Sequence, residues 1–278
     1  MGKIRLDLLL VERGLAESRN KAQALIMAGQ VRVNGQVADK PAVDVAADVD
    51  LNVEAGPRFV SRGGEKLEAA LDAFLYNPAG RTCADVGAST GGFTDCLLQR
   101  GATKVYAIDV GKGQLHWKLR NDPRVVVMEG TNARFVEQLS EIVSLATIDA
   151  SFISLKLLLP VVKNWFAPPP PTPAEGLAAA AEREKAINGD VIALIKPQFE
   201  AGRVDAARGE GVIRDAAVHK QVLTDVLAFA QNEGFVVRGL IRSPLLGPKG
   251  NVEFLAWLVL GVQGESAQPL VDRLFVGE

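Results

Sequence analysis

From Thr82 onward the chain alternates apolar runs of strand length with stretches of helical periodicity, and few folds accept that pattern. The runs lie at 82–86, 105–109, 125–128, 145–149, 191–196, 235–241 and 253–260. They are nearly continuous in apolar residues, so they predict strands covered on both faces, as in a doubly wound α/β sheet. Between the last two runs stand Pro244, Gly247, Pro248 and Gly250 in place of a helix. The final pair is therefore expected to close the sheet antiparallel. The expectation is an α/β fold around seven strands, mostly parallel.

The first 58 residues follow another pattern. Residues 6–13 read as a short helix stopped by Gly14, and Ser18 as the N-cap of a second helix over 19–28 that Gly29 ends. Val31 and Val33 alternate with polar residues before Asn34-Gly35, a strong hairpin signal, and 48–53 offers another strand. Residues 1–58 are thus expected to form a small α+β domain. Gly56-Pro57 and Gly63-Gly64 bracket an expected linker at 59–64. The larger domain is expected over 65–270, opening with a helix that aligns Leu67, Ala70, Leu71 and Phe74. Proline-rich Ala167 to Pro173 cannot be helical. With the Ala/Glu-rich stretch after it, this segment reads as a surface insertion at about 167–188.

Hydrophobic residues make up 48% of the 278, enough for a sizeable core, and the net charge is −2. Contact with nucleic acid must then rest on a local basic patch. Two cysteines and two histidines supply neither a disulfide framework nor a metal site. No run approaches the roughly 20 apolar residues of a membrane span. A soluble, cytoplasmic protein is expected, bound to no metal and no membrane. The oligomeric state is left open.

The first run of the larger domain ends in Asp85-Val86-Gly87-Ala88-Ser89-Thr90-Gly91-Gly92-Phe93, a strand, a small-residue turn and a helix start. Such a turn lays backbone N–H groups at the carboxyl edge of a sheet. It lacks the pyrophosphate-type glycine spacing, and the acidic Asp85 would repel an anion. The cationic amino acid part of S-adenosylmethionine would be welcomed there. Asp109 ends the second strand about 20 residues on, where a carboxylate can accept ribose hydroxyls. Glu129-Gly130-Thr131-Asn132 ends the third, near where adenine would lie. The expected cofactor residues are Asp85, Gly87, Ser89, Thr90, Gly91, Gly92, Phe93, Asp109, Val110, Thr131, Asn132 and Asp149.

Two further strands end in polar residues, one at Asp149 and one at Lys196. If the last strand runs antiparallel, its start brings Glu253 to the same edge, and Lys66 on the preceding helix can complete the group. Burial and a second lysine favour a neutral amine, whereas carboxylates favour the charged one. A balanced cluster of this kind can take a proton from a ribose hydroxyl.

These residues fall in motifs that resemble the TlyA, or hemolysin A, family of ribosomal RNA methyltransferases over nearly the whole chain. The motifs are Arg5-Leu6-Asp7 with Ser18-Arg19, Ser61 to Leu67, Asp85 to Asp95, Asp149 to Leu155, Lys196 to Glu200 and Gly250 to Phe254. The resemblance implies an S4-type RNA-binding domain followed by a Rossmann-like class I methyltransferase domain of the FtsJ type. It implies a Lys-Asp-Lys-Glu tetrad at Lys66, Asp149, Lys196 and Glu253. It also implies 2′-O-methylation of cytidine ribose in ribosomal RNA, within ribosomal subunits. The expected RNA contacts are Lys3, Arg5, Arg13, Arg19, Lys21 and Arg32, with Arg58 and Arg62 beyond them. Three other readings compete. An RNA-binding assembly factor with a vestigial site has no need of two lysines and two carboxylates at one edge. A membrane-active hemolysin lacks a spanning or basic amphipathic segment. A nicotinamide oxidoreductase does not fit the glycine spacing.

Overall fold

The computed structural model describes residues 2–54, 56–168, 188–202, 211–261 and 264–276. Nearly all of the expected proline-rich insertion, and the Ala/Glu-rich helix within it, lies outside the described residues. The chain divides into two units, Met1–Arg58 and Phe59–Glu278.

In the first unit, β1 (Lys3–Arg5) leads into α1 (Leu6–Glu12), and α2 (Arg19–Met27) follows. The Ser18 side chain accepts from the Lys21 N–H and caps α2, as its position predicts. Strands β2 (Val31–Val33) and β3 (Gln36–Ala38) form the expected hairpin. Asn34 and Gly35 both take positive φ, 50° and 79°, as a primed turn requires. β5 (Leu51–Val53) pairs on the other side of β2. A second ribbon joins β1 to β4 (Asp44–Ala46) antiparallel, and three-residue strands of that kind carry no readable periodicity. Leu6, Leu10, Ala22, Ile26 and Val31 form this unit's core.

The second unit opens with α3 (Gly63–Ala73). It starts inside the span expected as a linker, which here belongs to the packed unit. Phe59 is buried, and the Val60 N–H donates to the Asp95 carboxylate at 2.9 Å. A Cβ on Gly64 would lie 2.3 Å from the Phe59 ring, and one on Gly92 would lie 2.8 Å from the Gly64 nitrogen. The paired glycines therefore serve close packing rather than a hinge. Leu67 and Leu71 are almost fully buried, and each such side chain contributes about 1.5–3 kcal/mol.

The parallel strands are β6 (Thr82–Val86), β7 (Lys104–Asp109), β8 (Val125–Glu129), β9 (Leu145–Ile148) and β10 (Gly189–Ile195). β11 (Phe235–Arg242) and β12 (Phe254–Leu260) complete the sheet. The order across the sheet is β11-β12-β10-β9-β6-β7-β8. β12 runs antiparallel to both of its neighbours, as expected, with Phe254 opposite Ile195. Helices α4 (Gly92–Gln99), α5 (Trp117–Arg120), α6 (Leu155–Asn164), α7 (Pro197–Glu200), α8 (Ala216–Asn232) and α9 (Gln268–Leu274) follow in chain order. Two apolar cores, one centred on α6 and α8 and one on α3 and α4, cover the sheet. The chain reverses direction across the sheet between β6 and β9, and at such a switch point the loops leave a crevice at the strands' carboxyl ends.

Candidate active site

Two cavities meet at that crevice. The first, of about 630 Å³, is lined by Val86, Gly87, Ser89, Asp109, Thr131 and Asn132 among others. That volume suits a cofactor-sized ligand. The turn after β6 is wound through Gly87 at φ 84°, Ser89 at φ 50° and Gly91 at φ 100°. A Cβ on Gly87 would sit 2.6 Å from the Asp149 carbonyl oxygen, so only glycine lets β6 and β9 end this close. Asp109 accepts from the Ser89 and Gly111 N–H groups, each at 2.7 Å, and so ties two cavity loops together while lining the wall. Val110 is exposed at the rim. Asn132 caps the short turn after it by accepting from the Arg134 N–H.

Five of the expected cofactor residues do not line this cavity. Asp85 is fully buried and lines no part of this cavity. Successive residues of a strand face opposite ways, so Val86 meets the cavity while Asp85 points toward α4. There it accepts from the hydroxyls of Thr94 at 2.7 Å and Thr147 at 3.1 Å. Burial pushes its carboxyl up to about 7, against the opposing pull of the Thr94 bond. Asp85 thus braces the turn from beneath. Gly91 also faces inward: a Cβ there would lie 2.2 Å from Leu119. Its glycine serves packing against α5, not approach to a ligand. Thr90, Gly92 and Phe93 line a smaller cavity of about 230 Å³ with Arg62 and Lys66.

One residue named only as a strand end has a larger part. Glu129 accepts from the Gln114 and Leu115 N–H groups and from Arg120, at 2.8–3.0 Å. The Leu115 N–H, then Arg120, hold its carboxyl down at about 2. It pins the 111–120 loop, which adds Gln114 to the first cavity.

The second cavity, of about 480 Å³, shares Gly87, Ser89, Asp149, Ser151 and Phe152 with the first. All four tetrad residues line it. Lys66 Nζ stands 2.6 Å from Glu253 Oε2, and Lys196 Nζ stands 2.6 Å from Asp149 Oδ1. The topology accounts for the meeting: Asp149 and Lys196 follow β9 and β10, and antiparallel β12 returns Glu253 to the same edge. Lys66, Lys196 and Glu253 are buried. Buried ions persist only when paired, and here the two pairs satisfy most of the cluster. Glu253 Oε1 remains buried without a hydrogen-bond partner among the described residues.

Sequence reasoning passed over several residues inside its own motifs. Ser151 Oγ accepts from Lys196 Nζ at 3.0 Å. The Phe152 and Phe199 rings lie 4.9 Å apart in the cavity wall, and Phe152 is 90% exposed.

The expected RNA contacts of the first unit have internal partners. Asp7, fully buried, accepts from Arg5, Arg19 and Gln23. Arg32 pairs with Glu54. Arg13 donates to the Val49 and Ala47 carbonyls at 2.6 Å. These arginines hold the fold, and the basic face is partly neutralised by the carboxylates beside it. Lys3, Lys21, Arg58 and Arg62 are exposed.

The fold and the cleft are those of a methyltransferase. The model of the FtsJ-like methyltransferase family matches residues 59–260, and that of the S4 domain matches residues 4–50. The chain belongs to the FtsJ-like methyltransferases, in the branch that carries an S4 domain and the names TlyA and hemolysin A. It is 45% identical to the 16S/23S rRNA (cytidine-2′-O)-methyltransferase TlyA of Mycobacterium tuberculosis, over 92% of this chain and 90% of that protein. It is 39% identical to Hemolysin A of Brachyspira hyodysenteriae, over 92% of this chain and all of that protein. A solved structure from Streptococcus thermophilus, named as a hemolysin, superposes with a TM-score of 0.67 at 41% identity, covering 98% of this chain and 96% of that one. Among the described residues no helix is long and apolar enough to cross a membrane.

Proposed function

We propose that this chain methylates the 2′-oxygen of cytidine in ribosomal RNA, with S-adenosylmethionine as donor and assembled ribosomal subunits in the cytoplasm as substrate. One observation carries the reading. Two lysine–carboxylate pairs line a cavity that opens into the cavity of the glycine turn, with Asp149 in the wall of both. The relatives named as cytidine-2′-O-methyltransferases support the substrate.

When bound, S-adenosylmethionine supplies an electrophilic methyl group on a sulfonium. The residues present fit it: the turn through Gly87 and Ser89 lines the cavity, and Asp109 faces it where ribose hydroxyls would sit. Thr131 and Asn132 stand at the adenine end. On the substrate side, the Lys66–Glu253 pair lines the second cavity, where a ribose hydroxyl would sit. Lys196, held by Asp149 and Ser151, would take the 2′-proton in its neutral form, its own proton having passed to solvent beforehand, and so free the ribose oxygen to accept the methyl group that the donor supplies. A positioned base of this kind contributes about 10²–10⁴ in rate. The Phe152–Phe199 pair provides an apolar platform at the mouth, suited to stacking the base. The exposed cations of the S4 unit would add phosphate contacts and salt-dependent affinity.

The reading is tested by nucleoside analysis of ribosomal RNA from strains with and without the gene. It expects 2′-O-methylcytidine to fall when the gene is deleted and to return with the wild-type chain. An unchanged 2′-O-methylcytidine content would reject it.

A further inference from the structure

We propose that Glu200 is a positioning residue for methyl transfer, which holds the loop bearing Asp149, Ser151 and Phe152 against the segment bearing Lys196 and Phe199. The proposal rests on the function given above and adds to it a residue outside the tetrad. The loop leaving β9 is fastened at two points. At the first, Lys196 Nζ meets Asp149 Oδ1 at 2.6 Å and Ser151 Oγ at 3.0 Å. At the second, Glu200 Oε2 accepts from the Ser154 hydroxyl at 2.5 Å, and Oε1 accepts from the Leu155 N–H at 2.7 Å.

Between the fastenings stands Phe152 at φ 63°. The left-handed region is disfavoured for a side chain of this size, and such strain persists only where the surroundings impose it. The ring is 90% exposed, so burial does not impose it. The fastenings on either side do. Both come from one short stretch, 196–200, so a single rigid segment sets the Lys196–Asp149 pair and the strained turn together. The Leu155 N–H is also one of the donors that the first turn of α6 leaves without an intrahelical partner, and a carboxylate is favoured there. Glu200 lines neither of the two cavities of the site, which separates it from the residues that touch substrate. Burial pushes its carboxyl upward, as befits a packed bracket rather than a surface acid.

The test compares the wild-type chain, Glu200→Ala and Glu200→Gln in methyl transfer from S-adenosylmethionine to ribosomal subunits. Glutamine keeps an acceptor for the Leu155 N–H and an amide that can bond Ser154. Glu200→Ala is expected to lower kcat about 30-fold, the scale of a small misplacement of reacting groups, with KM for the subunit and Kd for the cofactor within about threefold. It should also move the pH–rate profile. Glu200→Gln should restore both kcat and profile to near wild type. Melting temperatures and kcat at reduced temperature separate this from loss of fold: a purely structural defect recovers on cooling, and that recovery would overturn the proposal. Wild-type kcat and profile in Glu200→Ala would overturn it too, as would a change confined to KM. An inactive wild-type chain in the same assay would sink the methyltransferase reading and this proposal with it.

Discussion

Each unit of the chain carries buried carboxylates bound by cations, and the two arrangements are built differently. In the first unit Asp7 is closed on every side, with Arg5, Arg19 and Gln23 donating to it. In the second unit the Lys66–Glu253 and Lys196–Asp149 pairs, each at 2.6 Å, face a cavity of about 480 Å³, and Glu253 Oε1 has no partner among the described residues. A saturated network has nothing left to offer a ligand, so it fastens structure. A network that lines a cavity keeps its charged groups beside a ligand in a low-dielectric setting, where a polar bond is strongest. The same residue types therefore lock one unit and equip the other.

Breaking the open network should show in rate and not in binding. Lys196→Ala is expected to lower methyl transfer about 10³-fold while leaving the Kd for S-adenosylmethionine within about threefold, measured by single turnover and calorimetry. A parallel loss of binding would mark Lys196 as structural.

Another buried carboxylate sharpens the contrast, because the partners of Asp85 are neutral: the Thr94 and Thr147 hydroxyls and the Thr94 N–H. Its carboxyl rises in the folded state to about 7. Between the unfolded value, near 4, and that pH, the folded protein keeps a proton that the unfolded chain has lost. Stability therefore falls as pH rises through this window, by about 4 kcal/mol from this group. Asp85→Asn should flatten the slope in urea unfolding between about pH 4 and 7. An unaltered slope would contradict the assignment.

Breaking the closed network should show in stability. The Arg5 guanidinium, then the bonds from Gln23 and Arg19, hold the Asp7 carboxyl well below its ordinary range. Its contribution is present above the unfolded value, near 4, and is lost as pH falls below that. Asp7→Ala should destabilise the first unit by about 2 kcal/mol at pH 7, with the difference from wild type shrinking under acid conditions. A pH-independent difference would argue that packing, not charge, is at stake.

The smallest effect concerns the cofactor loop. Glu129→Ala frees the 111–120 segment from its three bonds and should raise the cofactor Kd about fivefold with kcat at saturation unchanged. A fall in kcat would place Glu129 in the chemistry.

Much of this was legible before the fold was seen. The seven apolar runs gave the sheet, and the turn residues between the last two gave its antiparallel ending. Lys66, Asp149, Lys196 and Glu253 were readable because parallel topology sends strand ends to one edge. Spacing tells that Asp85 precedes a turn, but strand alternation decides which way its side chain points, here toward α4. Gly91 packs against Leu119, a contact that local glycine spacing does not report. The Glu200 bracket and the strain at Phe152 join positions 46 apart in the chain, and no local pattern reports such a meeting. The internal partners of Arg5, Arg19 and Arg32 were not legible, because charge counts ignore which carboxylate lies beside each arginine.

The most direct test of the account is transfer of tritium from labelled S-adenosylmethionine to ribosomal subunits purified from a strain lacking this protein, with Lys196→Ala in parallel. The account predicts label in RNA at a cytidine, resistant to alkaline cleavage at its own 3′ side, and no label with Lys196→Ala although cofactor still binds. Label that alkali releases as ordinary nucleotides, or equal label from both proteins, would contradict it.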